Sequence, residues 1–509
     1  MKVQIYDAFT QVLDPTPDER VLLHKVCTLR SKQFIRRKWE LHPTEIEVQR
    51  KYYRNGKVPT GLLPRIFSAG ITLEIEDFRE APEPGTPWPM TLPPLPVTSA
   101  DYSFQDIAVT TAVQKGRGLL WIPTGGGKTV VFSKIISQLG LKTVIIIPSL
   151  ELLEQTKNKL AEYFGGDMVT GFGGGLDFDP DASIWVATQQ SLYSYLKTNR
   201  EDFDKLVANI DVMIIDECHH INEQAGKKSK KGKKKANAGV DKKTVANSWW
   251  EVAMAIPAYY RYGVSATMNT EDSPNNQFVL ESATGKIIYE ISTSELIKRD
   301  VLVPLEITMV HRDAEPCRLW KSRTVKGELV PGAYDVNIID AVDRNDLIIT
   351  LAQYLQATGY KVLVLVDLVG RHGELLAEQI PNSVFLAGKH NRGERNAGID
   401  QFIVDNKILI STLVKEGFDV PAIDAIIIAG GGKSHKMLIQ KLGRARRITK
   451  GKQKASIFDF FDDDGESTSG PRMCRRHSLE RQKIYEQVPE DKVLHLPITT
   501  ARDIFHAKQ

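Results

Sequence analysis

Short apolar runs separated by longer stretches of helical character recur along most of this chain. From about residue 100 the runs are Leu119–Ile122, Thr143–Ile147, Ile184–Ala187 and Val212–Ile215. From about residue 300 they are Val362–Val366, Ser383–Leu386, Lys407–Ile410 and Ala425–Ile428. Runs of four or five β-rich residues alternating with helical patterns predict parallel sheets flanked by helices. In the first series each run ends at a polar or glycine-containing turn, and open α/β sheets bind ligands beyond the carboxyl ends of their strands. The expected class is α/β, with two tandem parallel-sheet domains at 100–292 and 293–509 behind a small N-terminal α/β domain at 1–85. Between them, Pro82 to Pro96 is too dense in proline for helix and predicts a stiff linker over 86–99.

At 509 residues, about three domains of roughly 150 residues are expected. No apolar run approaches the roughly 18 residues of a membrane span, and the first residues, Met1 to Asp7, have no signal-peptide core. A cytoplasmic protein with no membrane partner, monomeric when free, is the expectation. The four cysteines (Cys27, Cys218, Cys317 and Cys474) are far apart with no C-x-x-C pair, which argues against a zinc site and suits a reducing compartment.

The net charge of +4 matters less than where the charge sits. Between Arg30 and Lys57 there are nine Lys/Arg against three Glu, interleaved with Phe34, Trp39, Tyr52 and Tyr53. Cations beside aromatic faces suit nucleic acid. A solvated helix face with its aromatics turned to the core is the other reading. Residues 227–235 hold seven lysines in nine positions, Lys230 and Lys234 among them. Such a run repels itself and has nothing apolar to bury. A tethered contact to nucleic acid, a nuclear signal and a solubilising loop are the readings open for it.

Pro123-Thr124-Gly125-Gly126-Gly127-Lys128-Thr129 follows the run Leu119–Ile122 and precedes a helical segment, Val130 to Leu139. A strand, a glycine loop and a helix in that order make a phosphate cradle, with backbone N–H groups and a helix N-terminus facing the anion. Lys128 can reach the β/γ-phosphates of ATP, and the Thr129 hydroxyl can ligate Mg²⁺. The full pattern wants a glycine where Ile122 stands. About ninety residues on, Val212–Ile215 delivers Asp216-Glu217-Cys218-His219. Asp216 is assigned to the metal and Glu217 to the attacking water.

Gly-Lys-Thr together with Asp-Glu-Cys-His resembles a superfamily-two helicase of the DExH type. The likeness runs from Tyr102 to Arg447 and implies two RecA-like domains with ATP between them. Tyr102-Ser103-Phe104-Gln105 resembles the element whose glutamine reads adenine, which implies that role for Gln105. Pro148 to Gln155 resembles P-x-x-x-L-x-x-Q. Gly173-Gly174-Gly175 and Ala187-Thr188-Gln189-Gln190 resemble the next strand-contacting elements. The resemblance thus implies nucleic-acid contacts at Pro148, Gln155, Gly174, Thr188 and Gln189. Ser265-Ala266-Thr267 resembles the motif coupling hydrolysis to strand movement. Ser411 to Pro421 resembles S-T-x-x-x-x-E-G-x-D-x-P, which implies Thr412 on nucleic-acid backbone and Gly417 and Asp419 on nucleotide. Gln440 to Arg447 matches Q-x-x-G-R-x-x-R, which implies that Arg444 and Arg447 neutralise phosphate charge in the manner of an arginine finger. Beyond residue 459, Asp-Phe-Phe-Asp-Asp-Asp-Gly-Glu is expected to form an acidic exit loop before a final helix.

The small basic domain ahead of the motor resembles that of phage recombination and branch-migration helicases. This implies branched DNA (forks, D-loops, four-way junctions) as partner and a bacterial or phage-infected cytoplasm. A double-strand DNA translocase, an RNA helicase and a nucleotide-gated binding module are the competing functions.

Overall fold

The computed structural model describes residues 1–35, 44–94, 99–222, 248–267, 274–325, 328–388, 390–412, 423–432, 435–448, 451–468 and 470–497. It divides into two compact units. The first comprises Met1–Pro93, Ser103–Ile122 and Gly127–Ile291; the second comprises Pro94–Tyr102, Pro123–Gly126 and Ser292–Gln509. Among the described residues no helix is long and apolar enough to cross a membrane.

The first unit opens with β1 (Lys2–Ile5), β2 (Phe9–Leu13), a hairpin of β3 (Thr28–Ile35) and β4 (Thr44–Lys51), β5 (Lys57–Pro59) and β6 (Glu74–Asp77). A four-stranded sheet forms in the order β5-β2-β1-β6, beside the β3–β4 hairpin. The basic stretch around Arg30 to Lys57 is therefore largely hairpin, not a helix face. Its described aromatics are spent on packing: Tyr53 is buried, and the Tyr52 ring meets Phe278 at 5.1 Å and Trp250 at 5.9 Å. Trp39 and the Phe34 side chain lie outside the description.

The same unit continues with β7 (Arg117–Trp121), β8 (Thr143–Ile147), β9 (Val169–Phe172), β10 (Ile184–Thr188), β11 (Val212–Asp216), β12 (Tyr260–Ser265) and β13 (Ile287–Glu290). These pair in parallel in the order β13-β7-β12-β11-β8-β10-β9. β8, β10 and β11 are buried along their whole length, as expected for strands covered on both faces. The N-terminal sheet shares a continuous apolar core with this layer, from Val3 and Leu62 to Met213 and Phe278. The contact is close. A Cβ on Gly61 would lie 2.1 Å from the carbonyl oxygen of Glu281, and Arg65 Nε is 2.5 Å from Glu281 Oε2. Arg117, which opens β7, donates to the carbonyls of Asp7 at 3.0 Å and Thr284 at 3.1 Å.

The proline-rich segment is a strap rather than a free spacer. Gly85 N–H donates to Leu139 O, Trp88 N–H to Ser137 O and Thr91 N–H to Tyr163 O, each at 2.9 Å. These acceptors lie on the helices Lys128–Leu139 and Leu150–Phe164. Gly85 and Gly140 sit back to back, a Cβ on either falling 2.5 Å from a backbone oxygen opposite.

The second unit has β14 (Leu305–Asp313), a ribbon of β15 (Arg323–Val325) and β16 (Glu328–Val330), β17 (Val362–Leu365), β18 (Ser383–Leu386), β19 (Ile408–Ser411), β20 (Ala425–Ile428), β21 (Ala455–Asp463), a short pair of β22 (Glu466–Ser467) and β23 (Gly470–Pro471), and β24 (Lys492–Pro497). Its seven-stranded sheet runs β18-β19-β17-β20-β21-β14-β24, again with every pairing parallel. Two parallel seven-stranded layers and a small N-terminal sheet bear out the expected class.

One expectation fails here. The acidic stretch from Asp459 is not an exit loop: its first five residues close the nine-residue strand β21, and Asp459, Asp462 and Asp464 are buried. Asp459 and Asp462 are counter-ions for buried arginines, and Asp464 accepts the backbone N–H groups of Cys474 and Arg475. Asp459 accepts from Arg481 Nε at 2.7 Å and from the Tyr485 hydroxyl at 2.6 Å. Asp462 lies 3.1 Å from Arg312 and 3.3 Å from Arg344. Leaving one partner of such a pair alone would strand a charge in low dielectric, typically at about 3–5 kcal/mol. Arg481 comes from the final helix, Met473–Tyr485, which is where the sequence placed one.

Candidate active site

The glycine loop is built by backbone conformations that side chains resist. Gly125 and Gly127 have φ of 88° and 81°, in the left-handed region where a Cβ is unfavourable. Gly127 caps the helix Lys128–Leu139, whose first residues are the loop's lysine and threonine. A Cβ on Gly127 would fall 2.4 Å from Gln105 Nε2, so the buried glutamine lies against the last glycine of the cradle.

β11 lies inside the sheet between β12 and β8 and ends at Asp216, which is only 9% exposed. The next residue, Glu217, has φ 49°. This left-handed step after the strand turns the chain sharply, and the Glu217 N–H donates to Asp216 Oδ1 at 2.9 Å. Glu217 Oε1 is 3.4 Å from Lys128 Nζ, and Oε2 is 3.2 Å from His219 Nδ1. Ser265, the last residue of β12, reaches the same group: its Oγ is 2.7 Å from His219 Nδ1 and 3.4 Å from Glu217 Oε2. Thr267 completes the set. Its N–H donates to Ser265 Oγ at 3.2 Å, and its Oγ1 is 3.4 Å from His219 Nδ1. Ser265 has one hydroxyl proton and two acceptors in reach, the Thr267 carbonyl at 3.1 Å and Glu217 Oε2 at 3.4 Å.

Cys218 plays no chemical part. It is fully buried, burial pushes its thiol well above the ordinary range, and Gly263 makes room for it, since a Cβ there would be 3.0 Å from Sγ. His219 and His220 rings lie 4.6 Å apart, and His220 stacks on Trp249 at 5.3 Å.

The segments whose motifs imply strand contact gather at the carboxyl ends of the neighbouring strands β8, β9 and β10. Pro148 follows β8, Ser149 caps the helix Leu150–Phe164 by accepting from Leu152 N–H, and Gln155 is exposed one turn on. A Cβ on Gly174 would lie 2.8 Å from Leu150 Cδ2; one on Gly173 would lie 2.6 Å from Ser191 Oγ. Gly174 is exposed, whereas Thr188 and Gln189 are buried. The Thr188 hydroxyl donates to Ser191 Oγ at 2.8 Å and accepts from Ser191 N–H at 3.2 Å. That hydroxyl is spent on capping the helix Gln189–Thr198, leaving the N-terminus of that helix as the polar group Thr188 supports.

In the second unit Thr412 follows β19, its N–H donating to Leu386 O at 3.3 Å. Arg444 lies in the last turn of the helix His435–Ala445 and Arg447 just beyond it. Arg446 between them is buried and bound to Asp491, Nη1 to Oδ1 at 2.7 Å, so its guanidinium is structural. Gly417, Asp419, Lys230 and Lys234 lie outside the described residues. Sequence reasoning missed His219 and Thr267 as partners of Glu217, although both stand inside motifs it had singled out.

Residues 99–270 match the family described as type III restriction enzyme, res subunit, and residues 344–449 match the helicase conserved C-terminal domain. A proposed helicase of Sulfolobus islandicus filamentous virus is 27% identical over 371 residues, covering 68% of this chain and 60% of that protein. The ATP-dependent DNA helicase uvsW of enterobacteria phage T4 is 23% identical over 385 residues, covering 71% of this chain and 68% of that protein. The chain thus spans roughly 60–70% of the length of these two relatives. A fragment structure of a proposed HsdR subunit of a type I restriction enzyme from Vibrio vulnificus shares the fold, with TM-score 0.52, 17% identity and coverage of 89% of this chain and 78% of that one. With a helicase conserved C-terminal domain following the res-subunit match in order, and with uvsW among its relatives, the chain resembles the superfamily-two helicases.

Proposed function

We propose that this protein is an ATP-driven DNA helicase that unwinds or remodels branched DNA such as forks, D-loops and four-way junctions. The observation that carries the ATPase reading is Glu217, held by Lys128 on one oxygen and by His219 and Ser265 on the other. Lys128 exchanges this loose pairing for a phosphate oxygen of ATP, which leaves Glu217 to accept a proton from the attacking water. Thr129 and Asp216 offer the oxygen donors that Mg²⁺ prefers, beside a glycine loop shaped for phosphate. Mg²⁺ bound there would neutralise charge on the β- and γ-phosphates. Gln105 is assigned to adenine, and Arg444 and Arg447 to phosphate. Pro148, Gln155, Gly174 and Thr412, with the helix end capped by Thr188, are assigned to nucleic-acid backbone.

DNA is favoured over RNA because the phage relative is named a DNA helicase. The test is ATP hydrolysis by the full chain with single-stranded DNA, duplex, fork, four-way junction and RNA. Fork or junction should stimulate most; strongest stimulation by RNA would overturn the DNA assignment. A relative from Sulfurisphaera tokodaii named a DNA 3'-5' translocase favours a second reading, translocation along duplex without strand separation. Strand displacement on forked and unforked substrates separates the two.

A further inference from the structure

Between β14 and the helix Val342–Ala357 the second unit carries a two-stranded ribbon that belongs to neither large sheet. β15 and β16 pair antiparallel, with Arg323 opposite Val330, Thr324 opposite Leu329 and Val325 opposite Glu328. The base of the ribbon is fixed on several sides. Ser322 donates through both N–H and Oγ to Asp335 Oδ2, at 2.9 and 2.7 Å, and its Oγ accepts from Gly332 N–H at 2.9 Å. Ala333 and Tyr334 N–H donate to the carbonyls of Leu319 and Trp320, both at 2.8 Å. The Trp320 ring packs on Tyr334 and His477, with centroids 5.1 and 4.2 Å away. The two strands approach so closely here that a Cβ on Gly332 would lie 2.3 Å from the Lys321 carbonyl carbon.

What this base holds out is cationic and exposed. Arg318, Lys321 and Arg323 are all exposed, and none of their side chains has an ion pair or hydrogen-bond partner among the described residues. Leu329 is 71% exposed, the only large apolar side chain so placed on the described ribbon. Glu328, opposite Val325, is the acid on the described ribbon, and the three cations outnumber it, a balance that favours a polyanion. A two-stranded β-ribbon also has a width the major groove of duplex DNA admits. A single exposed leucine is too small a surface to hold a protein partner by apolar burial.

We propose that this ribbon is a nucleic-acid contact outside the recognised helicase motifs, taking a duplex through its phosphates with Arg318, Lys321 and Arg323, while Leu329 makes an apolar contact to sugar or base edges. The proposal rests on the reading of the protein as a DNA motor and names a further part of its DNA site. Contacts of this kind position the duplex without reading sequence.

The test compares the full chain with the variant Arg318→Gln/Lys321→Gln/Arg323→Gln. Binding to a mixed-sequence duplex and to single-stranded DNA is followed by fluorescence anisotropy over a range of salt concentrations. Each phosphate contact contributes about 0.9 to the slope of log K against log salt, so the triple variant should flatten the duplex slope by about two to three. ATP hydrolysis without DNA should be unchanged. Leu329→Ser should weaken duplex binding a few-fold at an unaltered slope. Because all four side chains are exposed, a melting curve matching the parent verifies the fold of each variant. A parent-like duplex slope in the triple variant would overturn the proposal, as would an equal loss on duplex and single strand. Parent protein that hydrolyses ATP but binds no DNA would instead defeat the reading of function on which the proposal rests.

Discussion

Ser265 Oγ stands 2.7 Å from His219 Nδ1, joining the end of β12 to the turn after β11 through two side chains. Both groups also reach Glu217 Oε2, so any movement of the carboxylate is felt at the end of β12. Ser265→Ala removes the hydroxyl that His219 and the Thr267 N–H share. Strand displacement per ATP consumed should fall several-fold while DNA-stimulated hydrolysis falls less. Unchanged displacement per ATP with slower hydrolysis would show that Ser265 serves hydrolysis alone.

Glu217→Gln keeps the shape and a hydrogen bond to the His219–Ser265 pair but cannot accept a proton. Turnover should fall by about 10²–10⁴, the usual worth of a general base, with ATP and DNA binding retained. Single-turnover hydrolysis measures it; a rate near that of the parent would require another group to position the water.

Lys128→Ala should abolish most hydrolysis and weaken ATP binding. Its ammonium is 3.4 Å from Glu217 and only 14% exposed, and what it holds there is a charge. The melting temperature should therefore stay within a few degrees of the parent, and calorimetry beside a phosphate-release assay tests both halves.

Gly61→Val tests the docking of the N-terminal sheet. A Cβ there would lie 2.1 Å from Glu281 O, so backbone must move on one side. The expected loss is about 1–3 kcal/mol, as for overpacking elsewhere, read as a lower denaturant midpoint. Hydrogen exchange should rise in the helix Pro274–Thr284, and an unaltered exchange pattern there would count against a rigid seam.

Lys452 supplies a pH-dependence. Its Nζ donates to Ala445 O at 2.7 Å, at the end of the helix carrying Arg444, and burial lowers its pKa to about 8. The unfolded chain keeps that proton up to about pH 10.4, so between about 8 and 10.4 the unfolded state binds more protons than the native one. Stability attributable to Lys452 therefore rises with pH across this window, by no more than about 3 kcal/mol. Urea titrations at several pH values, parent minus Lys452→Met, should show the rise; a flat difference would mean the lysine stays charged in the fold.

The central strands were legible because burial on both faces leaves an uninterrupted apolar signature. Thr143–Ile147 and Ala425–Ile428 coincide with β8 and β20 to the residue; Ser383–Leu386 does so too, although β18 is an edge strand and only partly buried. β7 begins two residues earlier than its apolar run, because Arg117 is paired in the sheet while its guanidinium reaches Asp7 and Thr284. The acids of β21 misled for a related reason. Arg481 and Arg312 stand 22 and 150 positions from the carboxylates they neutralise, and local composition carries no trace of such distant partners. Glu217 was legible as chemistry, but the convergence of His219, Ser265 and Thr267 upon it depends on β11 and β12 being neighbours. The seam at Gly61 was silent altogether, since what it accommodates is another segment's backbone.

The pairing of Arg65 with Glu281 also bears on how the chain is made. The two residues are 216 positions apart, and at about 5–20 residues per second the second is synthesised roughly 10–40 s after the first. Through that interval the N-terminal sheet lacks the helix Pro274–Thr284, so the face around Gly61 and Ile66 is open on the ribosome. Slowing synthesis downstream of residue 93 would lengthen this window, and a holding chaperone would have its site there before the motor exists.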